Sequence, residues 1–287
     1  MLVKMSGSIG DLFYALPSVE AFSAHDTVDL LLTTGQHQTY SEPHPLGNVR
    51  LTPEWAEAVA PLLRAQPYVN SVEVLPHEAM RTKRFAGCPV LDLDAFRLMG
   101  LTYDEGPAQR WFLWLLGLHA DLSKPCLKVE PSAELKDVFV ISRTSRNHNP
   151  TIDLRGLAGL PLVFVGLPEE HAAFRVLCPG IPYRPTADWL ELARLIAGSR
   201  GVIANQGAVF ALAECLKVPR LLEVPLVHAN VYPIGGACFE ARNQAQWENR
   251  LAALTGRQRR RDRDAYPSDL PAVFIHAQDD TFDGLPV

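Results

Sequence analysis

Short apolar runs alternate along the chain with stretches in which apolar residues recur every three or four positions. The first pattern predicts buried strands and the second predicts helices that bury one face. The predicted strands cover residues 2–5, 28–33, 72–75, 89–93, 138–142, 162–166, 201–205 and 220–224. The predicted helices cover residues 12–22, 53–63, 109–118, 169–177, 188–197, 208–216 and 239–254. Such alternation predicts mostly parallel sheets covered by helices on both faces.

A polar stretch with two prolines, residues 123–132, interrupts this alternation, which then restarts. Because prolines and polar residues are typical of a linker, we predict an α/β protein with two tandem Rossmann-like, doubly wound domains that face a central cleft. The first domain is expected over residues 1–130 and the second over residues 131–254. Residues 255–287 read as a polar tail, packed back or mobile.

The first predicted strand ends in a loop that contains Gly7 and Gly10 and leads directly into a helix. The first N–H groups of a helix have no internal partner and the helix dipole is positive there, so anions bind at such points. Glycine lets a ligand approach the backbone. Asp11 stands at this tip, and the local pattern leaves open whether it meets a ligand or only caps the first turn.

The loop after the fifth predicted strand is rich in groups that bind phosphate. It contains Arg143 and Arg146, which are bidentate donors, and the hydroxyls of Thr144 and Ser145. A solvated turn would have a similar composition. Since the loop stands at the carboxyl end of a buried strand, where ligands bind in open parallel sheets, we favour a diphosphate site.

Three further signals in the second half are weaker. Glu170 follows a strand and either complements a helix dipole or holds a ribose or base edge. The turn formed by Asn205, Gln206 and Gly207 presents donors at a helix N-terminus. Glu214, inside that helix, either accepts from sugar hydroxyls or is a surface residue.

Composition narrows the class of protein. The chain has 287 residues, of which 47% are hydrophobic and 21% charged, as in soluble globular proteins. The net charge of -5 gives no basic field for nucleic acid. The longest apolar helix candidate, residues 111–116, is too short to span a bilayer, and residues 2–5 are too few for a signal peptide. The scattered cysteines indicate reduced thiols in a cytoplasmic protein: Cys88, Cys126, Cys178, Cys215 and Cys238.

Residues 7–19, which read Gly-Ser-Ile-Gly-Asp-Leu-Phe-Tyr-Ala-Leu-Pro-Ser-Val, resemble the opening motif of the heptosyltransferases, glycosyltransferase family nine. Residues 162–222 resemble the nucleotide-binding half of that family. The resemblance implies the two-domain GT-B fold, with the first domain on the acceptor side and the second binding the nucleotide sugar. It also implies transfer with inversion, no metal, and no cofactor beyond the nucleotide-sugar co-substrate.

The resemblance assigns roles to individual residues. Asp11 matches the proposed catalytic base, and it follows a phosphate or acceptor loop that contains Ser6, Gly7, Ser8 and Gly10. The donor-binding set is Arg143, Thr144, Ser145, Arg146, Glu170, Asn205, Gln206, Gly207 and Glu214. The chain departs from the family where an Asp-Ser/Thr-Gly turn and a helical His are expected, because those positions hold Gln206, Gly207, Ala208 and Ala211. An ADP-heptose donor is therefore not assumed.

The expected partners are a nucleotide-sugar donor and a hydroxyl-bearing acceptor, which is a glycan, a lipid-linked sugar or a modified nucleobase. Two alternatives stay open. One is a GT-B-fold binding protein with weak or no turnover, favoured by the changed donor turn. The other is a glycosyltransferase that acts on DNA or a modified nucleobase, supported by the basic clusters of residues 81–84 and 257–263.

Overall fold

The computed structural model describes residues 1–40, 47–81, 89–102 and 106–257. Its strands are β1 (Leu2–Met5), β2 (Asp29–Thr34), β3 (Ser71–Pro76), β4 (Val90–Asp92), β5 (Phe139–Ser142), β6 (Leu162–Phe164), β7 (Gly201–Asn205), β8 (Arg220–Glu223) and β9 (Cys238–Ala241). Its helices are α1 (Ile9–Ser23), α2 (Pro53–Arg64), α3 (Ala108–Leu116), α4 (Pro168–Phe174), α5 (Trp189–Ala197), α6 (Ala208–Leu216) and α7 (Gln244–Thr255). Most of both basic clusters and of the predicted tail lies outside the described residues.

The strands form two parallel sheets, which confirms the predicted α/β class. The first sheet has the order β3-β2-β1-β4 and the second the order β6-β5-β7-β8-β9. In both, the first strand along the chain lies inside the sheet with a later strand on each side, which is the doubly wound arrangement. The carboxyl ends of β1, β5, β6 and β7, where the candidate loops begin, are therefore set by sheets whose strands all run in one direction.

Side-chain caps account for where several helices begin. The Thr52 hydroxyl accepts from the Trp55 N–H, and Pro53 occupies the first helical position of α2, as the sequence predicted. Asp188 caps α5 in the same way, through the Glu191 N–H. One prediction was wrong: residues 238–241 form the edge strand β9, paired with β8, rather than the first turn of a helix. Asn243 then caps α7, which begins at Gln244.

Helices from the two halves of the chain pack directly on each other. α1 lies against α6 and α2 lies against α5. The ring of Trp189, on α5, is 5.2 Å from that of Phe13 and 6.0 Å from that of Trp55, centroid to centroid. Because one continuous apolar cluster includes residues of both sheets, burial of apolar surface holds the halves together. The domain boundary near residue 130 stays a prediction.

A buried ion cluster of Glu214, Lys217 and Arg220 links α6 to β8 of the second sheet. Glu214, on α6, is 1% exposed and accepts from Arg220 Nε at 2.6 Å and from the Lys217 ammonium. Arg220 also donates to the Ile234 carbonyl oxygen at 2.8 Å. Buried charges are tolerated when they are paired and hydrogen-bonded, as these are. No helix within the described ranges is long and apolar enough to cross a membrane.

Replacing Arg220 with Met should lower the free energy of unfolding by about 3–5 kcal/mol, because it leaves the Glu214 carboxylate buried with one partner fewer. Urea unfolding followed by circular dichroism measures this. The matched control is Arg184→Met, which removes an ion-paired arginine near the surface and should cost far less. Equal losses in the two variants would mean that the buried cluster does not stabilise the second half.

Candidate active site

A cavity of about 750 Å³ is lined by the loops that follow four parallel strands. Polar groups enter it from the first sheet after β1 and from the second sheet after β5, β6 and β7. The carboxyl ends of parallel strands are the usual place for ligands in open α/β sheets. Predicted site residues that line the cavity are Ser8, Gly10, Asp11, Thr144, Ser145, Arg146, Glu170, Gln206 and Gly207.

Asp11 lies in the first turn of α1 and is held by an arginine. Its Oδ2 accepts from Arg97 NH2 at 2.7 Å, and both side chains line the cavity. The Asp11 side chain is 29% exposed, so the carboxylate is within reach of a ligand. Sequence reasoning missed Arg97 because it lies 86 residues away, in a 3-10 segment after β4. The adjacency of β4 and β1 in the sheet brings the two together.

The loop between β1 and α1 has one buried serine, one serine that caps the helix and a glycine beside Asp11. Ser6 is fully buried, and its hydroxyl donates to Asp94 Oδ2 at 2.6 Å. This hydroxyl therefore stabilises the loop and does not face a ligand. Ser8 instead caps α1 by accepting from the Asp11 N–H. A Cβ on Gly7 would lie 2.9 Å from the Cβ of Asp11. Glycine at this position therefore leaves room for Asp11.

The two candidate phosphate-binding arginines face different surroundings. Arg143 Nε and NH2 each donate at 2.8 Å to the carboxylate of Glu223, a buried residue at the end of β8. Arg143 is absent from the cavity wall, which Ser142 and Thr144 line. β5 ends at Ser142, and the Arg143 side chain turns from the loop toward Glu223. The prediction that Arg143 meets the diphosphate is corrected on this ground.

Arg146 lines the cavity from the second half of the chain. Its guanidinium carbon lies 5.6 Å from the ring centroid of Tyr40, a residue of the first half. This cation–π geometry places a positive charge across the cavity from the first sheet. Arg146 is therefore the arginine of this loop that lines the cavity.

Asn205 shapes the loop that carries Arg146. Its Nδ2 donates to the Arg146 carbonyl oxygen at 2.6 Å, and its Oδ1 accepts from the Thr144 N–H at 3.0 Å. Asn147 in turn donates to the Gln206 carbonyl oxygen at 2.8 Å. Asn205 is fully buried and does not line the cavity. Its predicted contact with the donor is therefore corrected to support of two adjoining loops.

The N-terminus of α6 opens on the cavity without a side-chain cap. Gly207 occupies the cap position and has no side chain to cap the helix, and no other side chain of the described residues is recorded as accepting from its first N–H groups. A Cβ on Gly207 would lie 2.8 Å from Thr144 Cγ2, so the close approach of the two loops requires glycine. Unpaired N–H groups and the positive end of the helix dipole favour an anion here.

Gln206, just before this turn, has a fixed orientation. Its Nε2 donates to the His228 carbonyl oxygen at 3.0 Å and to Asn230 Oδ1 at 3.1 Å. Its Oε1 has no partner among the described residues. The oxygen itself is buried, so Gln206 lines the cavity with the other atoms of the residue.

Glu170 and Glu214 have opposite positions relative to the cavity. Glu170 lines it, and Oε2 accepts from the Leu167 N–H at 3.1 Å. Burial raises the pKa of Glu170 above its ordinary value, although the N–H groups of Leu167 and Ser145 act in the opposite direction. Glu214 is paired with Arg220 in the ion cluster and does not line the cavity. Its predicted role in donor binding is corrected on this ground.

Aromatic side chains that sequence reasoning did not assign complete the wall of the cavity. They come from both halves of the chain, and they are Tyr14, Tyr40, Trp55, Phe96, Trp111, Tyr183 and Trp189. Only Tyr14 carried a sequence signal, since it follows Asp11 by three residues on the predicted helix. Within the described ranges, no three potential metal-ligating side chains lie together.

No protein-family model matches the sequence, and no curated protein matches it significantly. Solved structures do match. Escherichia coli ADP-heptose LPS heptosyltransferase II superposes with a TM-score of 0.59 at 16% identity over 88% of this chain and 98% of its own. A family 9 glycosyl transferase from Veillonella parvula gives 0.54 at 12% identity over 91% and 90%. The E. coli heptosyltransferase WaaC with ADP-2-deoxy-2-fluoro heptose gives 0.53 at 15% identity over 84% and 92%. The chain therefore shares the α/β fold of the family nine glycosyltransferases, as its opening motif predicted.

Proposed function

We propose that the protein is a metal-independent, inverting glycosyltransferase of GT-B architecture. It moves a sugar from a nucleoside-diphosphate donor, bound by residues 131–254, to a hydroxyl of an acceptor bound by residues 1–130. One observation carries the proposal: the Asp11 carboxylate faces the same cavity as Arg146 and the uncapped N-terminus of α6. A proton acceptor and an anion site thus meet from two sheets.

The reaction follows from that arrangement. The acceptor oxygen attacks the anomeric carbon and forms the new C–O bond, while its proton passes to the Asp11 carboxylate. The bond from the anomeric carbon to the diphosphate oxygen breaks, and its electron pair leaves with the diphosphate. Positive charge develops on the sugar ring, as in glycoside cleavage. Arg97 orients the Asp11 carboxylate through the hydrogen bond at 2.7 Å.

The negative charge on the leaving diphosphate needs stabilisation. Arg146 supplies a cation, the N–H groups at the start of α6 supply a helix dipole, and Thr144 and Ser145 line the same wall. Preorganised donors and cations of this kind act strongly in a cavity shielded from water. These groups are the ones that would stabilise the leaving diphosphate without a metal ion.

The nucleoside is placed by the loop after β6. Glu170 offers a carboxylate to ribose hydroxyls, and Tyr183, which donates to the Gly166 carbonyl oxygen at 2.9 Å, adds an aromatic wall. The solved WaaC carries an ADP-heptose analogue. For this chain we propose the class of nucleotide sugar only, because the neutral Gln206 stands in the donor turn.

A binding protein without turnover is the second candidate, favoured by the contact between Asp11 and Arg97. An arginine that occupies the carboxylate competes with an acceptor hydroxyl for it. Activity measurements on a panel of ADP-, GDP- and UDP-sugars, read as release of the nucleoside diphosphate, separate the two functions.

Replacing Asp11 with Asn should cut turnover about a hundredfold or more, because the amide does not take the acceptor proton. Calorimetry should show nucleoside diphosphate binding within a few-fold of wild type, since the anion site is untouched. Asp121→Asn, at an exposed carboxylate outside the cavity, is the matched control. Turnover of the Asp11 variant close to that of this control would remove Asp11 as the base.

Replacing Arg146 with Ala should weaken binding of ADP, GDP or UDP, whichever binds the wild type, about tenfold or more, because a charge-assisted contact is lost. Its melting temperature should fall less than that of Arg143→Ala, because the Arg146 contact with Tyr40 lies at the cavity wall and not beside a buried carboxylate. Arg143→Ala should behave in the opposite way, since it leaves Glu223 buried without its bidentate partner: a lower melting temperature with affinity nearly unchanged. Loss of affinity in the Arg143 variant alone would reverse the assignment of the two arginines.

A further inference from the structure

The segment between β8 and β9 contacts both the turn before α6 and the first half of the chain. The Gln206 side chain donates to the His228 carbonyl oxygen at 3.0 Å. The Asn230 carbonyl oxygen accepts from the N–H of Ala108, at the start of α3, at 3.0 Å. All four residues line the cavity. Asn230 therefore lies where the donor turn of the second half meets the first half.

The side-chain amide of Asn230 is held in one orientation. A backbone carbonyl oxygen only accepts hydrogen bonds, so the Gln206 atom that faces the His228 carbonyl oxygen is the nitrogen Nε2. The same nitrogen donates to the Asn230 side chain at 3.1 Å, and the Asn230 atom that accepts from it is Oδ1. Nδ2 is therefore the end of the Asn230 amide that Gln206 does not hold.

The other polar groups of Asn230 all have partners. Its N–H donates to the His228 carbonyl oxygen at 2.8 Å, its carbonyl oxygen accepts from Ala108, and Oδ1 accepts from Gln206. Within the described ranges Nδ2 makes no hydrogen bond, and it is not one of the side-chain nitrogens that are enclosed by protein atoms without a partner. Nδ2 is thus the group of Asn230 that is left to meet a ligand in the cavity.

The position of Asn230 selects the part of the substrate that it meets. Gln206 directly precedes Gly207, where the uncapped start of α6 favours the diphosphate. Ala108 belongs to the first half, which supplies Asp11 to the same cavity. In the proposed reaction the sugar lies between the leaving diphosphate and the hydroxyl that Asp11 deprotonates. A residue that contacts both the donor turn and the first half is therefore placed beside the sugar.

We propose that Asn230 Nδ2 donates a hydrogen bond to a hydroxyl oxygen of the transferred sugar and so determines which sugars the enzyme accepts. This inference rests on the proposed function and adds a specificity-determining residue to it. The amide is a neutral donor, which suits a hydroxyl oxygen. A site built to hydrogen-bond a sugar hydroxyl rejects an analogue that lacks it, because the donor of the site is then left unpaired.

The test measures how much the sugar contributes to binding. Calorimetry gives the ratio of the dissociation constant of the nucleoside diphosphate to that of its sugar nucleotide, for the ADP-, GDP- or UDP-sugar that the wild type turns over. Asn230→Ala should lower this ratio about fivefold to tenfold, because one hydrogen bond to the sugar is lost. Its affinity for the nucleoside diphosphate alone should be unchanged. Asn249→Ala, at an exposed asparagine of α7 outside the cavity, is the control.

Asn230→Asp guards against a loss of folding in the alanine variant. Aspartate has nearly the same shape and keeps an oxygen that accepts from Gln206, but it has no N–H to donate to the sugar. It should therefore lower the same ratio with a smaller fall in melting temperature than Asn230→Ala. The ratio compares two ligands that carry the same diphosphate, so the added negative charge acts on both.

Deoxy analogues of the chosen sugar nucleotide identify the contact. One analogue, which lacks the hydroxyl that Nδ2 meets, should bind equally well to the wild type and to Asn230→Ala. The analogues that keep this hydroxyl should still bind more tightly to the wild type, because coupling is confined to groups that touch. A loss that is the same for every analogue would show a structural role for Asn230 and overturn the inference.

The remaining outcomes separate this inference from the function on which it rests. A wild type that turns over a sugar nucleotide, with an unchanged ratio in both Asn230 variants, overturns the inference and leaves the function standing. Equal losses of affinity for the nucleoside diphosphate and its sugar nucleotide also overturn it, since Asn230 then supports the donor turn. A wild type that neither binds a nucleoside diphosphate nor releases one from any sugar nucleotide rejects the function and the inference together.

Discussion

The packing of α1 against α6 is the contact on which the candidate site depends. A Cβ on Gly10 would lie only 4.0 Å from the Cα of Ala208, so the first turns of the two helices nearly touch. Small residues allow this approach, and the apolar cluster that runs through both halves holds it. Because each helix begins at the carboxyl end of a strand, the same contact places a carboxylate and an anion site on one cavity.

The polar residues around this contact are of two kinds. Some have their hydrogen-bonding groups paired within the protein, and others line the cavity. Ser6, Arg143, Asn205 and Glu214 all have buried partners that consume their hydrogen-bonding groups. Burial of polar and charged groups is tolerated on that condition. The groups at the cavity wall include the Asp11 carboxylate and the start of α6. The hydrogen-bond partners of a residue therefore distinguish site residues from structural residues better than the residue type does.

That division also explains which features the sequence could predict. Strand and helix positions follow from local periodicity, and nearly all of them were predicted. Arg143 was misassigned because its partner Glu223 lies 80 residues away, beyond any local pattern. Arg97 carried no signal at all, because only the pairing of β4 with β1 brings it to Asp11.

The proposed base and the groups proposed to bind the diphosphate come from different sheets. Asp11 belongs to the first sheet, whereas Arg146 and the start of α6 belong to the second, so the distance between base and leaving group is set by helix packing and not by a loop. Misplacement of reacting groups by about an ångström is enough to cost a hundredfold in rate. Ala208 lies at this contact and also lines the cavity, so a larger side chain there would alter the helix contact and the cavity wall together. The interior of this interface is thus as much a determinant of turnover as the cavity wall itself.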